Sequence, residues 1–273
     1  MNRSLCRVIG ALVALAICAA GASAALAGGG ATTKSATQSI PAGAMTTQVG
    51  AAKATCPKGS VPVPAGLSTS KGAKSTVLGL SASGRTAKAT LGNYADASRK
   101  ITSIAYCAAA KGLKVRVGTN TTIDSVEIQH VTASCEEGER LLFGGFKLPK
   151  TTDVYLAGLK KEAQKRWTVA VLAFEPDEKI TSFAYCSEHA PRTTTVSKSY
   201  TVPNNQTTSA TPKCPKGKVA VGGGYESQVT VSDEFGLLRA TKRAGSRGWK
   251  TTVRDDNGEN RPPDVTAYAY CAE

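Results

Sequence analysis

The sequence holds only two histidines, His130 and His189, and they occupy unrelated positions within the repeats described below. That leaves little material for the proton transfers most hydrolytic sites need. No Gly-x-Ser-x-Gly nucleophile elbow occurs; the nearest approach, Gly79-Leu-Ser81-Ala-Ser83, has serine where the second glycine belongs. A His-Glu-x-x-His zinc helix and a Gly-rich phosphate loop ending in Lys-Ser/Thr are also missing. Aromatic residues are scarce, with two Trp and five Phe, so a core must be built from Val, Leu, Ile, Ala and Tyr. These absences favour a protein that is not an enzyme and that needs no cofactor and no metal. A hydrolase built on His130 or His189 is the enzymatic alternative.

The first 27 residues read as a secretory signal. Arg3 and Arg7 supply the positive end, Val8 to Ala16 a short apolar run, and Ala-Ser-Ala or Ala-Leu-Ala a cleavage site after Ala24 or Ala27. The apolar run is too short and too rich in Ala and Gly for a transmembrane span. Cleavage would lower the formal charge from +14 to +12 and remove Cys6 and Cys18. Six cysteines would remain, an even number that suits a disulfide framework in a secreted, extracellular protein. Residues 28 to 45 are rich in Gly, Ala, Thr and Ser and are expected to be flexible, 28–32 most of all.

Self-similarity dominates the rest of the chain. Cys56, Cys135 and Cys214 are separated by 79 residues each time; Cys107, Cys186 and Cys271 are separated by 79 and then 85. The segments before the second cysteines nearly coincide: Ile101-Thr-Ser-Ile-Ala-Tyr-Cys107, Ile180-Thr-Ser-Phe-Ala-Tyr-Cys186 and Val265-Thr-Ala-Tyr-Ala-Tyr-Cys271. Gly59, Gly138 and Gly217 follow the first cysteines, then Gly66, Gly145 and Gly224, each before an apolar residue. Three copies result, over 33–110, 111–189 and 190–273.

Each copy reads as β-strands, because apolar residues alternate with polar ones around both cysteines. Glycine inside such a strand, as in Gly222-Gly-Gly224, marks a bulge, a bend or a close backbone approach. Of 15 possible disulfide pairings, symmetry leaves two. One closes each copy on itself: Cys56–Cys107, Cys135–Cys186 and Cys214–Cys271. The other links neighbours and closes a ring through Cys56–Cys271. The first is preferred because each copy can then fold without its neighbour, and a loop of this size is worth roughly 4 kcal/mol. No two of these cysteines have the short spacing of a zinc knuckle. Asp255 to Asn260 lacks the ligand spacing of a calcium loop and reads as a polar insertion in the third copy.

Positive charge clusters before each tryptophan. Lys160, Lys161, Lys165 and Arg166 precede Trp167; Arg239, Lys242, Arg243 and Arg247 precede Trp249; Lys71, Lys74, Arg85 and Lys88 thinly echo them in the first copy. Such clusters favour polyanions such as an anionic glycan or a cell-wall polymer. Nucleic acid is disfavoured, since base stacking needs more aromatics interleaved with the charge. For the tryptophans themselves, a core position and a sugar-stacking platform both fit. Solvated surface charge is the plainer account of the basic residues.

The pattern Cys-Pro-x-Gly, Gly-Gly-Gly, Trp, then Val-Thr-Ala-Tyr-Ala-Tyr-Cys, clearest in the third copy, resembles repeats of exported actinobacterial proteins. That resemblance implies no activity. Three sheet-forming copies that open with Cys-Pro-x-Gly and close with Cys also look like the vitelline-membrane outer-layer β-prism type, which implies three sheets around a pseudo-threefold axis. The expected fold is all-β, three disulfide-stapled repeats arranged as a prism or as three small sandwiches. The expected role is a secreted structural or surface-associated protein, or else a polyanion-binding module.

Overall fold

The computed structural model describes residues 32–43, 46–109, 112–120, 128–150, 154–174, 178–228, 236–256 and 262–272. The segment expected to be a secretory signal, with Cys6 and Cys18, lies outside them. The alternating pattern produces strands throughout, and the described residues contain no helix. The first copy supplies β1 (Thr32–Ile40), β2 (Gln48–Thr55), β3 (Val61–Thr69), β4 (Ser75–Ser83), β5 (Thr86–Asn93) and β6 (Arg99–Ala108). The second supplies β7 (Lys114–Asn120), β8 (Ile128–Ser134), β9 (Arg140–Lys147), β10 (Val154–Glu162), β11 (Arg166–Ala173) and β12 (Ile180–Ser187). The third supplies β13 (Thr194–Thr201), β14 (Thr207–Ala210), β15 (Val219–Gln228), β16 (Gly236–Ala244), β17 (Gly248–Asp255) and β18 (Asp264–Ala272). Composition predicts a flexible stretch over 28–45, but Thr32–Ile40 pair along their whole length with β6. The ladder of β6 supplies what the composition of β1 does not.

Three six-stranded antiparallel sheets form, and each is shared by two copies. The first sheet runs β1-β6-β3-β16-β17-β14, the second β2-β5-β4-β9-β12-β7, and the third β13-β18-β15-β10-β11-β8. Every copy gives its first, sixth and third strands to one sheet and its second, fifth and fourth to another. Within a copy the two halves face each other as a small sandwich, filled in the first by Ala52, Ala54, Ala87, Ala89, Leu91, Ile101 and Ala105. Between copies the sheets are continuous. The architecture thus combines both expectations, with sandwiches at the corners and three sheets closed into a ring.

The disulfides pair Cys56–Cys107, Cys135–Cys186 and Cys214–Cys271, each within its own copy. The first cysteine of each pair follows the second strand and the other lies in the sixth, so every bond ties one sheet to the next. Ring closure needs no Cys56–Cys271 bond, because β3 pairs directly with β16.

That pairing between copies is short. Ala240–Ser68 and Thr241–Leu67 join the first sheet, Gly79–Lys147 and Leu80–Phe146 the second, and Gly158–Glu226 and Leu159–Tyr225 the third. Gly66, Gly145 and Gly224 sit at these seams because the neighbouring copy's backbone comes too close for a side chain. A Cβ on Gly66 would stand 2.8 Å from the Thr241 carbonyl oxygen, and one on Gly145 or Gly224 would collide with the carbonyl of Leu80 or Leu159. Where the seam opens, a tyrosine from the repeated Ala-Tyr-Cys segment completes it. The Tyr106 hydroxyl accepts from Arg243 N at 2.8 Å, Tyr270 from Lys161 N at 2.6 Å, and Tyr185 from Ala82 N at 2.5 Å while donating to Ala82 O at 3.0 Å. Ala82, Lys161 and Arg243 are equivalent positions, so one latch recurs three times. Burial pushes the Tyr185 hydroxyl up to about 12, which keeps it a neutral donor.

The tryptophans meet glycines on the same principle. The Trp167 ring lies where a Cβ on Gly144 would be, and the Trp249 ring does the same at Gly223. In the first copy the strand register places Ala87 at the tryptophan position and Ala65 at the glycine position. Both members of the contact change together. What remains beside Ala65, Leu80, Trp167 and Trp249 is a void of about 10 Å³, room for at most one water.

Two outcomes follow from this packing. Ala87→Trp alone should destabilise the protein, and adding Ala65→Gly should recover roughly 1 kcal/mol or more in a denaturant double-mutant cycle; additive single effects would contradict the assigned contact. Tyr185→Phe should cost about 1–3 kcal/mol, because Ala82 N–H and C=O lose a buried partner; urea unfolding that leaves the midpoint in place would remove the latch from the account.

Candidate polyanion interface

The ten residues singled out by the sequence separate into three groups. Trp167 and Trp249 are 2 % and 1 % exposed, so neither offers a face to a sugar ring. The indole Nε1 of Trp249 donates to Thr241 Oγ1 at 2.7 Å; that of Trp167 faces a leucine, Leu159, at the equivalent site and has no partner. Arg239 is also buried, contrary to a binding role. A bulge between Leu238 and Ala240 turns it inward at a position where the other copies carry Leu78 and Ala157. There it donates to Ser75 O and Oγ at 2.8 Å and pairs with Asp256 at 2.7 Å, tying the last copy to the first. Asp256 also accepts from Lys74 N and pairs with Arg254. With that carboxylate engaged, Asp255–Asp256 resembles a structural lock rather than a calcium site; residues 257–260 lie outside the described residues.

Lys161 and Arg243 form the second group, half-buried and turned towards the interior. Lys161 Nζ donates to Leu141 O at 3.3 Å, Gln164 Oε1 at 3.3 Å and Thr193 Oγ1 at 2.8 Å. Burial, with Arg140 nearby, pulls its ammonium down to about 8. Arg243 lies 4.8 Å over the Tyr106 ring, and its Nε is buried without a partner. Both cations are engaged at the seam.

The remaining residues stay on the surface. Lys165, Arg166 and Arg247 are exposed at hairpin tips, whose carbonyls receive the first cysteines: Lys165 O from Cys135 N at 2.8 Å and Arg247 O from Cys214 N at 2.7 Å. Arg247 Nε donates back to Cys214 O at 2.8 Å, and Arg166 lies 3.7 Å from Glu162. Lys160 points outward from the third sheet but meets Glu226 at 2.6 Å. Lys242 points outward from the first sheet, directly opposite Lys250.

Lys53, Lys147 and Lys250, which the basic clusters did not include, complete the pattern with Lys88 of the first copy's thinner cluster. Lys53 stands opposite Lys88 on the outer face of the second sheet, and Lys147 is exposed further along it. Their neighbours Ala52, Ala54, Ala87 and Ala89 point inward and are buried, so alternation alone puts both lysines outside. Lys250 joins Lys242 on the first sheet in the same way. Hydroxyl pairs stand two residues along on the same faces, Thr55–Thr86 at 3.1 Å on the second sheet and Ser209–Thr252 at 2.9 Å on the first. Ser68, Lys147 and Glu226 hold one equivalent position. Glu226 neutralises Lys160, and Thr132 and Thr168 stand where the second sheet has Lys53 and Lys88, so the third sheet carries no lysine pair among the described residues. The signal in the sequence was the period-two spacing of lysines between buried alanines, which a search for contiguous basic loops passes over.

Other clusters of reactive side chains are accounted for by structure. Cys135, Glu139 and Cys186 come together, but both sulfurs are spent in the disulfide. Glu139 pairs with Lys114 at 3.0 Å and Arg116 at 2.9 Å, and Glu136 pairs with Arg116 at 2.7 Å. Glu136 stands where the other copies have proline, so that departure serves an ion-pair network on β7. His130 and His189 are exposed, and neither imidazole has a partner among the described residues. No helix of the described residues is long and apolar enough to cross a membrane.

Hydrogen bonding from Arg116 and then Lys114 holds the Glu139 carboxyl at about 2, below its ordinary 4.5. The unfolded chain therefore binds this proton more tightly, and the contribution is complete above about pH 4.5 and disappears as the pH falls to about 2. Glu139→Gln should lower the urea midpoint at neutral pH and converge on the unmodified protein near pH 2; a gap unchanged by pH would refute the assignment.

No protein-family model and no curated protein matches this chain.

Proposed function

We propose that the protein is an exported, non-catalytic β-repeat scaffold that binds an anionic polysaccharide or cell-wall polymer by charge. The observation that carries this reading is the pair of like-charge contacts, Lys53 opposite Lys88 and Lys242 opposite Lys250, with no carboxylate against either pair among the described residues. Like charges directly opposite each other in a sheet cost stability. A bound polyanion removes that cost, and the hydroxyl-bearing neighbours suit a carbohydrate chain. The described large apolar side chains left exposed are Val49, Val115 and Val117, with no aromatic ring for stacking, so charge must supply the attraction. Export is supported by the signal-like first 27 residues and by three disulfides.

The mature protein should be retained on heparin and elute late in a salt gradient. Replacing Lys53, Lys88, Lys242 and Lys250 by alanine should shift elution to clearly lower salt and flatten the salt dependence. A charge-matched variant at Lys58, Lys71, Lys179 and Lys198 should shift less. Equal shifts in both variants would reduce the rows to part of the general surface charge and overturn the proposed site.

A further inference from the structure

The two lysine rows lie on different sheets and in different copies. In the first copy β2-β5-β4 packs against β1-β6-β3, so Lys53 and Lys88 face away from the first sheet; in the third copy β16-β17-β14 packs against β13-β18-β15, so Lys242 and Lys250 face away from the third sheet. Lys53, Lys88 and Lys147 belong to the second sheet; Lys242 and Lys250 belong to the first, beyond the seam with β3. Strands about 4.8 Å apart make each row a track running across the sheet. A chain lying along one track leaves the other open. The third sheet has no equivalent, since Thr132 and Thr168 replace the lysine pair and Glu226 takes the charge of Lys160.

We infer that the protein is divalent towards linear polyanions and cross-links them, the first and second sheets each holding a separate chain of an acidic polysaccharide. This rests on the polyanion-binding reading above and adds its valency. Rigidity matters here: disulfides tie each sheet to the next, so the protein cannot fold one track onto the other, and a second chain must be recruited.

Light scattering during titration with long heparin chains tests this, alongside heparin-column retention of each protein. Scattering should rise to a maximum and fall again in excess polymer, when each track is occupied by a different chain. The triple variant Lys53→Ala/Lys88→Ala/Lys147→Ala and the double variant Lys242→Ala/Lys250→Ala should each remain on the column but lose scattering to the level of protein alone. Column retention without scattering by the unmodified protein would overturn divalency and leave the binding reading intact. Scattering that survives in either single-track variant would also overturn it. Loss of retention by the unmodified protein would overturn both.

Discussion

Every sheet of this protein runs through a seam where only two residue pairs join one copy to the next, and the remaining long-range order depends on keeping that seam closed. Glycine is required there by the neighbouring strand's carbonyl, which occupies the space of a Cβ at Gly145 and Gly224. Because the pairing stops after two residue pairs, the partner strand would be left with unsatisfied backbone groups. The tyrosine before each second cysteine supplies the missing hydrogen bonds. The disulfide beside that tyrosine fixes the strand that carries it. Pairing joins copies within sheets and disulfides join sheets within copies, and neither alone would close the ring.

The three copies show which contacts act as units, because their differences are correlated. Tryptophan appears where the facing residue is glycine, and alanine where it is alanine. Copy two exchanges the Cys-Pro turn for Cys-Glu and gains Lys114 and Arg116 to neutralise it. Copy three places Arg239 at the bulge and Asp256 beside it, where copy one has Leu78 and Tyr94. The charged pair falls at the junction that joins the end of the chain to its beginning. Breaking a buried pair of this kind by removing one partner costs several kcal/mol, so the closing seam is specified by charge as well as by shape.

The strongly basic composition divides between inside and outside. Arg239, Lys161 and Arg243 are held by backbone oxygens, a carboxylate or an aromatic ring and contribute to the architecture. Among the described residues Lys53, Lys88, Lys242 and Lys250 face no carboxylate, and their opposition in pairs is what motivates the proposed polyanion contact. Solvated charge for its own sake would be served as well by staggered lysines. The pairs are what distinguish a track from a soluble surface.

The sequence by itself determined the number of copies and the all-β class, because these follow from cysteine spacing and short-range alternation; symmetry left two disulfide sets, and the structure has the one within copies. It also contained the core position of Trp167, since Trp167, Val169 and Val171 share one face, although that reading competed with a binding platform. Other features were decided only by tertiary structure. A bulge reverses side-chain direction without any mark in the local pattern, so Arg239 read as part of a basic cluster and is a buried lock. The exchange of half-sheets between copies depends on contacts more than a hundred residues apart, such as Tyr106 with Arg243. The lysine rows emerge only when strands distant in sequence are laid side by side, because Lys53 and Lys88 become neighbours through the register of a sheet and not through the order of the chain.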